Sequence, residues 1–152
     1  MPHDTEHPTP ADPAAGLIAS LDELLEAERA GARVMRESLA ETDDPQLRAL
    51  IEAIGHDEVQ WCGVLMRAIR QLGGTPGTRT GDFYGKAMAV AGLPERLAFV
   101  NRGQGWVAKK LRELLPQVRD DAIRPGLQAM LQAHVDNLER VNRQLGLAPP
   151  AR

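Results

Sequence analysis

A chain of 152 residues, 43% hydrophobic and 26% charged, is long enough to close one hydrophobic core without disulfides or a structural metal, and calls for no second domain. Its net charge of −3 arises from 18 basic and 21 acidic residues spread along the sequence, which leaves no basic stripe for a phosphate backbone and excludes nucleic acid as a partner. No apolar run approaches the roughly 18 to 20 residues that span a bilayer. The single thiol, Cys62, lacks an internal partner, so the expectation is a reduced, cytoplasmic protein that does not enter a membrane.

Residues 1–12 combine three prolines with charged and small polar residues and read as a disordered tail, in which His3 and His7 are a chance pair. The bundle is expected over residues 13–146. Helix 1 should run from about Pro13 to Ala40, or start at the capping box Ser20 to Glu23, with Leu17, Leu21, Leu24, Leu25, Ala32, Met35 and Leu39 on one face. Asp44-Pro45 opens helix 2, which ends before Gly73-Gly74 and buries Leu47, Leu50, Ile51, Ile54, Trp61, Leu65 and Ile69. A stretch of about twenty residues rich in Gly, Thr and Pro follows, with a helical turn or two expected in 82–90. So long a connection needs a reason, and running the length of a bundle is one. Pro94 opens helix 3, with Leu93, Leu97, Val100, Ala108, Leu111 and Leu115 inward, and Pro116 ends it. Helix 4 is expected from Asp120 or Asp121 to about Leu145, with Pro125 in its first turns and Ile123, Leu127, Met130, Leu131, Leu138 and Val141 facing in.

Each of these apolar faces is interrupted by polar residues: Glu28 in helix 1, Glu58 in helix 2, Asn101 and Gln104 in helix 3, and His134 in helix 4. Short turns make helices 1 and 2 one antiparallel hairpin and helices 3 and 4 another. Glu28 and Glu58 each lie about fifteen residues from the first turn, roughly 22 Å along the helix axis. Asn101, Gln104 and His134 lie about as far from the second turn. All five therefore converge on one layer, where an unpaired charge would cost several kcal/mol.

Two hairpins joined by one long crossover, with carboxylates and a histidine at mid-depth, resemble the ferritin-like superfamily of carboxylate-bridged di-iron proteins. The resemblance covers residues 13–146. It implies an all-α, ferritin-like four-helix bundle with the crossover between helices 2 and 3, and six metal ligands: a Glu on helix 1, Glu-x-x-His on helix 2, a Glu on helix 3 and Glu-x-x-His on helix 4. Glu28, Glu58 and His134 match. Trp61 stands at the helix 2 histidine position, Asn101 or Gln104 at the helix 3 glutamate, and Leu131 at the helix 4 glutamate. The site is thus a degenerate di-iron centre, and ferroxidase or oxygen-activating chemistry does not carry over. Glu28 to Glu58 and Asn101 to Leu131 are both thirty residues apart, and ERAGARV aligns loosely with NRGQGWV, as an old internal duplication would leave them.

Three readings of the layer stand open. Glu28, Glu58 and His134, with Gln104 or Asn101 as a neutral donor, suit one Fe, Mn or Zn ion. Alternatively the same residues form a metal-free polar layer in a structural or interaction bundle, or line a small-molecule pocket. Neither a reaction nor a substrate follows from the sequence. Glu52 and His56 fall on the outward face of helix 2, and Cys62 reads as a small buried thiol. Phe99, Gly103 and Trp106 lie opposite the core face of helix 3 and need cover, either from Phe83, Tyr84 and Met88 in the crossover or from a second copy in a homodimer.

Overall fold

Asp44 and Pro45 start the second long helix as their chemistry dictates: the Asp44 carboxylate accepts from the Gln46 N–H at 3.1 Å, and proline occupies the first turn, where no donor is needed. The computed structural model, which describes residues 13–147, is built on such ends. Its elements are α1 (Pro13–Ser38), α2 (Pro45–Gln71), the short α3 (Phe83–Met88), α4 (Leu93–Leu114) and α5 (Arg124–Leu145), with single 3-10 turns at Leu39–Glu41 and Leu115–Gln117. Gly73, at φ +88°, closes α2: its N–H and that of Gly74 return to the carbonyls of Arg70 and Ile69. The tail at 1–12, with His3 and His7, lies outside the described residues.

Two boundaries differ from the sequence expectation. Helix 1 tightens into a 3-10 turn after Ser38 rather than continuing to Ala40. Helix 4 begins at Arg124 rather than at Asp120 or Asp121, because Asp120 turns the chain by accepting from the Ala122 N–H and Pro125 falls in the first turn. Arg124 holds this entry by donating to the Val118 carbonyl, six residues back. Arg96 does the same to Val90 at the start of α4, and its buried guanidinium also reaches Ser38 and Glu41.

α1 pairs with α2 and α4 with α5, and the crossover runs over α1. Asp22 accepts from the Gly77 N–H at 2.7 Å, Arg29 donates to the Gly77 carbonyl, and Tyr84 bonds Glu37 under the Arg33 guanidinium. Phe99 and Gly103 receive their cover from inside the chain. The Phe83 ring stacks on Phe99 at 5.2 Å, and a Cβ on Gly103 would fall 2.9 Å from that ring. Trp106 stays 40% exposed.

The core is divided. One apolar cluster gathers Leu21, Leu24, Leu25, Trp61, Leu65, Leu111, Leu127 and Met130, and a second gathers Val34, Met35, Leu50, Ile51, Leu97, Val100 and Val141. Between them, on all four long helices, lie the polar residues. Val34, Val107 and Leu114 are buried where the expected faces omitted them, and Ala32 and Leu115 are only half-buried.

Candidate functional site

Glu28, Glu58, Gln104 and His134 come together in the bundle centre, as equal depth requires, and all four are buried. They form two hydrogen-bonded pairs. Nε2 of His134 is 2.6 Å from Oε1 of Glu28, and Gln104 donates from Nε2 to Oε1 of Glu58 at 2.6 Å. The other ring nitrogen of His134, Nδ1, is 2.8 Å from the Met130 carbonyl, which can only accept. Nδ1 therefore carries a proton, and Nε2 and Glu28 share a second one. Burial works against the imidazolium, but the hydrogen bond and charge of Glu28 outweigh it and hold the His134 pKa above its ordinary 6.5. Burial, and then the charge of Glu28, push the Glu58 carboxyl well above its ordinary 4.5 despite the opposing bond from Gln104.

Four buried side-chain atoms have no hydrogen-bond partner among the described residues: Oε2 of Glu58, Oε1 of Gln104, Oδ1 of Asn101 and Nε1 of Trp61. The first two belong to the central layer. Asn101 does not join it by a hydrogen bond. One turn from Gln104, it donates to Oδ1 of Asn142 at 2.8 Å and ties α4 to α5. Trp61 packs in the apolar cluster at the family's histidine position.

Gly31 is a further site residue, which helical periodicity alone does not mark. A Cβ there would fall 2.7 Å from Cδ of Glu58, and closer still to Oε2, so the missing side chain is the space the carboxylate occupies. The sign was present in the half-repeat: Gly31 aligns with Gln104, and these two residues flank Glu58, one making room and the other donating. A cavity of about 460 Å³ opens beside this layer. It passes between α1, α4 and the crossover to a mouth near Glu23, Asp82 and Trp106, and reaches Glu28, Gly31, Glu58 and Gln104.

The peripheral candidates stay apart from this site. Glu52 and His56 are exposed on α2. Cys62 is buried, and its thiol is pushed up to about 12, by burial first and the nearby carboxylates second. Among the described residues, no three His, Cys, Asp or Glu side chains are gathered closely enough to enclose a metal ion as they stand. No helix among them is long and apolar enough to cross a membrane.

A family model described as a domain of unknown function, DUF6306, matches residues 15–143. The chain belongs to the DUF6306 family. A crystal structure of a ferritin-like, diiron-carboxylate protein from Bacillus anthracis str. Ames superposes with a TM-score of 0.79 over 89% of this chain and 99% of that one, at 20% identity. This DUF6306 chain therefore has the ferritin-like fold that its sequence resembled. A comparison with curated proteins gives no match.

The fold family implies a pair of metal ions, and the residues present do not fit one. Two carboxylates, one imidazole and one amide remain, Trp61 belongs to the apolar core, and Leu131 packs against it where a further ligand would stand. For one ion the donor types do fit, because Glu58 and Gln104 each offer a buried oxygen that lacks a donor.

Proposed function

We propose that this ferritin-like bundle holds one divalent metal ion in the layer of Glu28, Glu58, Gln104 and His134. The observation that carries the reading is the pair of unpartnered oxygens, Oε2 of Glu58 and Oε1 of Gln104, beside a Glu28–His134 pair that shares a displaceable proton. Glu28, Glu58 and Nε2 of His134 would hold the ion, with Oε1 of Gln104 as a neutral donor, and this set suits Fe(II), Mn(II) or Zn(II). The Met130 carbonyl orients the imidazole as backbone carbonyls orient metal-binding histidines. Because the side chains are not gathered as they stand, an ion held there would take the place of the proton that Glu28 and His134 share and would require the layer to close on it. A bound ion supplies Lewis acidity and, with iron or manganese, redox chemistry. The two apolar clusters shield it from bulk water, and the cavity gives access to it. Asn101, bonded to Asn142, positions α4.

Chelator-treated protein titrated with Mn(II), Zn(II) or anaerobic Fe(II) should gain thermal stability that saturates near one equivalent and is lost in Glu58→Ala. An unchanged melting temperature with all three ions overturns the proposal. The competing reading is a metal-free bundle that pairs with a second copy; with Phe99 covered by Phe83, it draws on the exposure of Trp106 alone. It requires a molar mass that rises with concentration and does not respond to metal.

A further inference from the structure

The cavity over the layer supports an inference that does not depend on a metal. Its volume of about 460 Å³ is in the range of small-molecule sites. Ala27, Phe83, Phe99, Trp106 and Val107 supply apolar wall. The inner end is different. Its unpartnered atoms, Oε2 of Glu58 and Oε1 of Gln104, are both oxygens, on side chains that are 2% and 8% exposed. The Gln104 amide beside them gives one of its two N–H groups to Oε1 of Glu58. Gly31 lines the cavity, and the space of its missing side chain is filled by the Glu58 carboxylate, whose Oε2 stays buried at the inner end. Glu23, Glu26 and Asp82 stand around the cavity with Arg102, which lies over the Phe99 ring, and with Lys110, which lies over the Trp106 ring 4.0 Å from Glu23.

These features select a ligand class. An anion meets three peripheral carboxylates and, at the floor, the buried carboxyl of Glu58. A neutral hydrocarbon leaves both buried oxygens unsatisfied, and a bare metal ion leaves the aromatic walls unused. We propose that the cavity is a binding site for a small primary ammonium on an apolar body, an arylalkylamine of the size of 2-phenylethylamine. Its NH3+ group donates to Oε2 of Glu58 and Oε1 of Gln104, and its ring lies against the Phe83, Phe99 and Trp106 walls. Such an amine and a metal ion would compete for Glu58, so each is tested without the other.

The test is calorimetric titration of chelator-treated protein at neutral pH with 2-phenylethylamine and, separately, with 2-phenylethanol, which has nearly the same shape and no charge. The amine should saturate at one per chain and bind about tenfold or more tightly than the alcohol, the margin of a charge-assisted hydrogen bond. Glu58→Gln should weaken the amine by a similar factor, and Trp106→Ala, at an exposed wall position, by about threefold or more. Equal binding of alcohol and amine, no heat at millimolar amine, or amine binding that Trp106→Ala leaves unchanged overturns the proposal. Since the measurement excludes metal, its failure leaves the metal proposal standing, and its success does not establish that proposal.

Discussion

Nε2 of His134 lies 2.6 Å from Oε1 of Glu28, across 106 residues of chain and between two apolar clusters, with both side chains almost fully buried. Removing one member of such a pair leaves the other without its counter-charge. His134→Ala should therefore lose about 3 to 5 kcal/mol in urea unfolding. Replacing both with leucine should recover most of that loss, and can exceed the parent, because well-packed apolar substitutes for a buried pair are neutral or stabilising by about 1 to 4 kcal/mol. A double variant no more stable than His134→Ala would contradict this. A layer whose removal strengthens the bundle serves something other than stability.

The metal-free protein should lose stability as pH rises. The folded-state pKa of Glu58 is raised above 4.5, so above that pH the unfolded chain releases a proton the folded chain retains, and stability falls until Glu58 itself ionises. The folded-state pKa of His134 is raised above 6.5, so its contribution is complete below 6.5 and lost as pH climbs through the folded value. Urea midpoints measured from mildly acid to mildly alkaline pH should fall throughout, and Glu58→Gln should remove the acid part of the decline. Midpoints that rise with pH would contradict this.

Two glycines of α1 should respond oppositely to alanine. At Gly16 an added Cβ meets nothing within 4 Å, so the gain in helix propensity, about 0.8 to 1 kcal/mol, should appear in full. At Gly31 the same Cβ strikes the Glu58 carboxylate, which cannot swing aside without breaking its bond to Gln104. Gly31→Ala should destabilise the protein and weaken any cation that depends on Glu58. Thermal melts of the two variants make the comparison, and parallel shifts would contradict the packing described.

Cys62 should be inert in the native state. Its thiol is pushed up to about 12, so little thiolate exists near neutral pH. A disulfide reagent should label it slowly in buffer and rapidly in urea. Equal rates would show that the α2 surface near Trp61 is open.

Much of this arrangement is legible in the sequence because helical period and turn positions together fix depth. Glu28, Glu58, Gln104 and His134 interrupt four apolar faces at the same distance from two turns, and they do meet. Asn101 shows the resolution of that reasoning: it lies one turn from Gln104 on nearly the same face, and periodicity does not distinguish a residue that joins the layer from one that pairs with Asn142. Arg96 escaped because an arginine in a pattern reads as solvated, whereas its stem and guanidinium are buried against Ser38 and the Val90 carbonyl. Gly31 and the cavity escaped because space left by an absent side chain has no periodic signature. α3 was placed within a residue or two, but its Phe83–Phe99 stack is a tertiary contact that no local pattern specifies.

The most direct test of the central claim is elemental analysis of untagged protein as purified, beside Glu58→Ala. A single-ion layer predicts Fe, Mn or Zn approaching one per chain in the parent and close to none in the variant. Two ions per chain, no metal in the parent, or a content that Glu58→Ala leaves unchanged would contradict it.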